Sequence, residues 1–263
     1  MEKNLNLFPQ FLVRYPDNGI KNEEDKPISI SEDDFELSLF AIDSLLHVMN
    51  ISLPIQQSPE AVIEFTDAQK FPMCVRTTKT IYLTSSPNDW AKTCYQLAHE
   101  MCHYMIPNDV VSTLQWLEET ICELASCYFL PEISEYWKRL AIFKPAPDKV
   151  FDYNTFKTYI EECLKEKSIL SLKLLAPDTV HSFEPTLEEN CTLREINRYI
   201  VFRLLPIFKH FPEVWHAVPL LSELNANQPL LDALKQWSTL APTESYIALQ
   251  EVAQLFVAAV LLD

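Results

Sequence analysis

The sequence predicts an α+β protein that is mostly helical and carries a small antiparallel or mixed sheet. Apolar residues recur at helical spacing through most of the chain, whereas three short β-branched or aromatic runs lie together between Ala61 and Thr84. Gly19 is the only glycine among 263 residues, which disfavours tight two-residue hairpins. It also excludes the glycine-rich phosphate-binding loops of nucleotide-binding proteins.

Composition narrows the function classes further. The net charge is −16 and no run of lysines or arginines occurs, so we predict neither a nucleic-acid partner nor a membrane partner. The first residues do not resemble a secretory signal, and no stretch reaches 18 consecutive apolar residues. Seven cysteines without a Cys-x-x-Cys pair indicate reduced thiols. We therefore predict a cytoplasmic protein.

The chain divides into three predicted parts. Residues 1–30 are polar and interrupted by prolines, which predicts an irregular strap. Residues 31–145 are predicted to form a metal-binding domain that begins with a helix capped at Ser31 and continues with the small sheet. Residues 146–263 show helical spacing in several stretches and are predicted to form a helical C-terminal subdomain.

The helix after the sheet carries the chemistry. Its expected start has Ser86 as N-cap and Pro87 in the first turn, and Pro107 ends it, so it spans about 19 residues. Within it stands His99-Glu100-Met101-Cys102-His103, the His-Glu-x-x-His pattern of zinc sites. Residues at i and i+4 share one helix face, with side chains roughly 6 Å apart, so one metal ion can bridge both histidines. Glu100 is rotated about 100° away and can act on a water molecule at the metal.

A second helix is predicted from Asn108-Asp109 to Leu130, where Pro131 stops it. It contains Trp116-Leu117-Glu118-Glu119 and, four residues beyond Glu119, the carboxylate of Glu123. Carboxylates in an otherwise apolar helix are candidate metal ligands.

These two helices together resemble the gluzincin zinc metallopeptidases, which include thermolysin and the zinc aminopeptidases. Trp116-Leu117-Glu118-Glu119 is similar to the Trp-Leu-Asn-Glu run of the aminopeptidases, and the segment Leu124 to Pro131 is similar to the ImmA/IrrE-type metallopeptidases. The similarity covers residues 80–131. It implies a zincin-like pair of active-site helices on the small sheet, a bound Zn²⁺ and a peptide or protein substrate.

The resemblance implies that His99, His103 and Glu119 hold the zinc ion and that Glu123 orients a ligating histidine. Fifteen residues separate His103 from Glu119, fewer than in thermolysin, whereas the nineteen residues up to Glu123 equal the thermolysin gap. Glu123 therefore stays open as the alternative third ligand. Cys122 is a further alternative, because zinc also accepts thiolate.

The expected reaction is the hydrolysis of peptide bonds by a zinc-activated water, with Glu100 as general base. The oxyanion requires a further group, for which the candidates are His181, Tyr153, Tyr159 and His216. The strand Thr80–Thr84 is expected at the sheet edge, where an extended peptide could pair with it. The alternative function is that of a catalytically silent zincin-fold protein with a regulatory or interaction role.

Overall fold

The computed structural model describes residues 1–5, 8, 10–16, 19–21, 27–28, 30–55, 60–143, 153–165, 180, 182–226 and 228–256. The fold is α+β and mostly helical, with a small mixed five-stranded sheet, as the sequence predicts. The described residues form two compact units. The first comprises residues 1–104 and 129–160, and the second comprises residues 105–128 and 161–263. The division into three parts that we expect from the sequence stays a prediction.

Seven strands are described. They are β1 (Glu2–Asn4), β2 (Phe11–Arg14), β3 (Ile20–Lys21), β4 (Pro27–Ile28), β5 (Ala61–Phe65), β6 (Met73–Val75) and β7 (Thr80–Leu83). The main sheet has the order β1-β2-β5-β7-β6, in which β2, β5 and β7 run parallel and the two outer strands run antiparallel to their neighbours. Strands β3 and β4 form a separate antiparallel pair.

Two expectations about the strands are wrong. Strand β7 does not lie at the sheet edge, because it pairs with β5 on one side and with β6 on the other. The chain returns from β6 through a short turn of 3-10 helix, Arg76–Thr78, and through Lys79 in the left-handed conformation with φ 52°. The prediction that residues 1–30 form an irregular strap is also wrong for the residues that form strands β1 to β4. Strand β2, for example, pairs with β5, which lies about fifty residues further along the chain.

The helices are α1 (Glu32–Ser52), α2 (Trp90–Met105), α3 (Gln115–Phe143), α4 (Thr155–Leu164), α5 (Glu184–Glu189), α6 (Arg194–His210), α7 (Leu230–Leu240) and α8 (Tyr246–Gln254). Further 3-10 segments occur at Ser112–Leu114, Pro212–Glu223 and Thr243–Ser245. The predicted cap of α1 is confirmed, because the Ser31 hydroxyl accepts a hydrogen bond from the backbone N–H of Asp34 at 3.1 Å.

Three helix boundaries differ from the prediction. Helix α3 begins at Gln115, after a 3-10 segment, rather than at Asn108-Asp109. Helix α2 begins at Trp90 rather than in the Ser86–Pro87 segment, because the Asp89 N–H bonds to the Ser86 carbonyl in a turn. Its N-cap is Asp89, whose carboxylate accepts from the Lys92 N–H at 3.1 Å. Helix α3 does not stop at Pro131 but continues through it to Phe143. Proline there removes one backbone donor, a cost that burial of the surrounding residues offsets.

The first unit has its core between the sheet and helices α1 and α2. Trp137, from the second half of α3, donates its indole N–H to Ser44 of α1 at 2.9 Å. Its ring also lies against those of Phe40, Trp90 and Phe156, with centroid distances of 5.3, 6.1 and 5.0 Å. This aromatic cluster ties α3 to α1 and α4 within the unit.

The described residues of the second unit form helices and the segments that connect them. Trp215 packs its ring against Phe208 of α6 and Tyr128 of α3, with centroid distances of 4.8 and 5.3 Å. Trp237 of α7 donates its indole N–H to the Ala217 carbonyl at 2.7 Å. The helical character predicted for the C-terminal part is thus confirmed for the described residues, although part of the stretch predicted up to Leu262 lies beyond them.

Among the described residues, one helix, α1, is long and apolar enough to cross a membrane by length and composition. Of the most apolar 18-residue stretch of this helix, 61% is buried inside the protein, as in the core helix of a soluble protein.

Candidate metal centre

Helix α2 is fixed to the sheet by one glutamine. The Gln96 side-chain oxygen accepts from the backbone N–H groups of Thr84 and Ser85 at 3.0 and 3.1 Å, and its amide donates to the Thr84 hydroxyl at 3.1 Å. Because Gln96 precedes His99 by three residues, the face of α2 that carries His99 is held in a fixed relation to the carboxyl end of β7.

The two histidines of the motif occupy one face of α2, as the spacing predicts. Their ring centroids lie 5.0 Å apart. Both histidine residues are partly exposed, whereas Glu100 between them is only 5% exposed. The helix thus presents two imidazoles with an almost fully buried carboxylate beside them.

Glu119 of α3 supplies a third donor. One imidazole nitrogen from each histidine and one Glu119 carboxylate oxygen lie within 4.8 Å of one another. Two metal ligands on one ion at 2.0–2.2 Å can be separated by at most about 4.4 Å, so small side-chain adjustments bring all three atoms into range. Among the residues that the structure describes, this group contains neither Glu123 nor Cys122.

Glu123 has a partner that sequence reasoning missed. Its Oε1 accepts a hydrogen bond from Nε of Arg198 on α6 at 2.7 Å, and both side chains are about 95% buried. The role expected for Glu123, orienting a ligating histidine, stays a prediction. No local pattern in the sequence signals the pair, because 75 residues separate the two side chains.

The cysteines form no disulfides. All seven are free thiols, and Cys102 and Cys122 are fully buried. Burial and the Glu119 and Glu118 carboxylates raise the pKa of the Cys191 thiol above its ordinary value. The negative field of Glu119 therefore reaches the chain segment that precedes α6.

Arg76 is a second cation that the sequence did not single out. Its Nε donates to the backbone carbonyl of His103 at 3.1 Å. A positive charge at this end of α2 complements the helix dipole. Since Arg76 directly follows β6, this bond also brings the end of that strand beside the C-terminal turn of α2.

The described candidates for oxyanion stabilisation each have a different neighbour. The Tyr159 ring lies 5.5 Å from that of Tyr95, which precedes His99 by one helical turn. Tyr153 faces Lys138, whose ammonium group is 5.7 Å from the ring centroid, and His216 Nδ1 lies 3.8 Å from a Glu244 carboxylate oxygen. His181 lies outside the described residues. Tyr159 is thus in contact with helix α2.

Comparisons of the chain with protein-family models, with curated proteins and with solved structures found no match.

Proposed function

We propose that this protein is a zinc-dependent metallopeptidase of gluzincin type, in which His99, His103 and Glu119 hold the metal ion and Glu100 is the general base. The observation that carries the proposal is the convergence of two imidazole nitrogens and one carboxylate oxygen within 4.8 Å. The proposed assignment to the gluzincins rests on the motif helix and on the Trp116–Glu119 run.

The donor set fits zinc. Imidazole nitrogen and carboxylate oxygen are both ordinary zinc ligands, and three protein ligands leave a fourth position for water or substrate. A purely structural zinc site normally fills all four positions, usually with cysteines. The absence of a cysteine from the group, among the described residues, favours catalysis over a structural role.

In the proposed reaction, the metal ion and Glu100 would have separate roles. The bound metal would supply Lewis acidity, which activates water and polarises a peptide carbonyl. Glu100 accepts the proton of the attacking water and returns it to the leaving amine. Its near-complete burial keeps bulk water away from this carboxylate, which strengthens its interactions with charges that develop nearby.

The sheet suggests how a peptide would be held. Among the described strands, β6 is the outer strand on the β7 side, and it pairs with β7 alone. An extended substrate could add to β6 through backbone hydrogen bonds, and the Arg76 bond to the His103 carbonyl would bring it towards α2. The seven free thiols support a reducing compartment, so we propose a cytoplasmic location.

The test begins with metal content. Purified protein reconstituted with zinc should hold one ion per chain by elemental analysis. His99→Ala should abolish binding, whereas His210→Ala, at an exposed histidine on α6, should not. Wild-type protein that holds no zinc after reconstitution would rule out the proposal.

Hydrolysis is then measured by mass spectrometry on a proteome-derived peptide library. Glu100→Gln should keep the zinc ion and lose cleavage. If the wild-type protein bound zinc yet cleaved nothing, and Glu100→Gln left its cellular effect intact, the protein would instead be a regulatory protein of the same fold.

A further inference from the structure

Helix α6 buries two consecutive polar side chains, Asn197 and Arg198, each 4% exposed. The rest of its buried face is mostly apolar, with Tyr199, Ile200, Val201 and Leu204 among its residues. Burying an amide and a guanidinium is costly unless each finds partners. Both find a partner on helix α3, within the four residues that follow Glu119.

Arg198 acts on the residue one turn after Glu119. Its Nε–H donates to the Glu123 carboxylate at 2.7 Å in surroundings that exclude water. A charge-assisted bond of this length, between side chains that are both buried, fixes the direction of both. Helix α3 therefore cannot turn about its axis at Glu123 without breaking a buried ion pair.

Asn197 acts on the residue directly after Glu119. Its Oδ1 lies 3.3 Å from the hydroxyl of Thr120, which is fully buried and also donates to the Trp116 carbonyl at 2.8 Å. The Asn197 amide donates in turn to the Cys191 carbonyl at 2.9 Å. One asparagine thus joins α3 to the segment that leads into α6.

We infer that Asn197 and Arg198 are positioning residues that set the direction in which Glu119 points. The inference rests on the proposed function, since it assigns these residues a task only if Glu119 holds metal. We call the pair, with its partners Thr120 and Glu123, the α6 brace. A carboxylate oxygen lies roughly 6 Å from the axis of its helix, so rotating α3 by about 10° displaces it by about 1 Å. That exceeds the roughly 0.2 Å tolerance of a metal–ligand distance.

The experiment measures the affinity of the full chain for Zn²⁺ alone, by competition with a chelating dye. Arg198→Met and Asn197→Leu each remove one arm of the α6 brace at nearly constant volume. Each should weaken zinc binding by about 10- to 100-fold, the usual effect of losing an outer partner of a metal ligand. Arg194→Met is the matched control, because Arg194 is exposed and lies one turn earlier on α6. It should bind zinc like the wild type.

Two further measurements separate positioning from general damage to the fold. The first repeats each substitution in Glu119→Ala protein, where the loss should shrink to less than about 3-fold, because no ligand remains to be positioned. The second records the visible absorption of the Co²⁺-loaded protein, which reports the coordination geometry. The spectrum should change in Arg198→Met protein and stay unchanged in Arg194→Met protein.

The possible results are decisive. If Arg198→Met fails to fold, Arg198→Met/Glu123→Leu removes the arm without leaving a lone buried charge, and the same loss of affinity is expected. Wild-type affinity in the folded brace variants overturns the inference while leaving the proposed function intact. An undiminished loss in the Glu119→Ala background also overturns it. Wild-type protein that binds no zinc overturns both the inference and the proposed function.

Discussion

Replacing Gln96 by methionine tests whether one side chain fastens the motif helix to the sheet. Methionine is of similar length and unbranched, so the change removes three hydrogen bonds with little change in volume. The backbone N–H of Ser85, a fully buried residue, loses its acceptor, whereas Thr84 is partly exposed and its N–H can recruit water.

The expected loss in the free energy of unfolding follows from these three hydrogen bonds. A buried donor left without an acceptor costs about 1–3 kcal/mol, and each of the two other bonds contributes about 0.5–1.5 kcal/mol. We expect Gln96→Met to lower the free energy of unfolding by about 3 kcal/mol. In a chain of this size that corresponds to a fall of about 6–12 °C in Tm.

The assay is urea denaturation of the metal-free protein, followed by far-UV circular dichroism. Gln96→Glu keeps an acceptor for both N–H groups and should recover much of the loss at neutral pH. Gln254→Met, at an exposed position of α8, is the control for a glutamine-to-methionine change. Equal stabilities for Gln96→Met and Gln254→Met, within about 0.5 kcal/mol, would refute the assigned role of Gln96.

Four further outcomes are expected. Arg198→Met should destabilise the metal-free protein by about 3–5 kcal/mol, and adding Glu123→Leu should restore most of it in urea denaturation, because no lone buried charge then remains. Trp137→Ala should lower the free energy of unfolding by about 3–5 kcal/mol in the same assay, since it leaves a cavity in the aromatic cluster of the first unit. Burial raises the pKa of Tyr104 to about 12; its contribution to stability should be complete below pH 10 and lost as the pH rises towards 12, and Tyr104→Phe should flatten that fall. Zinc at a hundred times its dissociation constant should stabilise the wild type by about 2.7 kcal/mol in a thermal scan and leave His103→Ala unchanged.

The parts of the fold that the sequence predicts are those with strong local signals. Helix α1 has a capping serine followed by three acidic residues and a long apolar face, so its start is predicted correctly. Helix α2 is also predicted, but its start is displaced because Pro87 and Asn88 form a turn instead of the first helical turn. Both signals act within a few residues, which is the range over which a single sequence is informative.

The parts that the sequence does not predict depend on distant partners. Strand β2 has only four residues, and its pairing with β5 on one side and β1 on the other determines its conformation. Helix α3 passes Pro131 because the surrounding residues are buried, and burial depends on tertiary packing rather than on the proline itself. The bonds from Arg198 and Arg76 to the site likewise span 75 and 27 residues.

The choice of Glu119 or Glu123 as third ligand also depends on a distant partner rather than on a local signal. The two carboxylates are four residues apart and lie on one face of the helix, so spacing along the chain cannot decide which of them binds the metal ion. What distinguishes them is that Glu119 belongs to the group of possible metal donors, whereas Glu123 accepts a bond from the guanidinium of Arg198. If Glu123 bound a metal ion instead, the ion would compete with Arg198 for the buried Glu123 carboxylate. That competition supports the proposal of Glu119 as the third ligand, and it makes α6, far along the chain, part of the argument for which carboxylate joins the two histidines on α2.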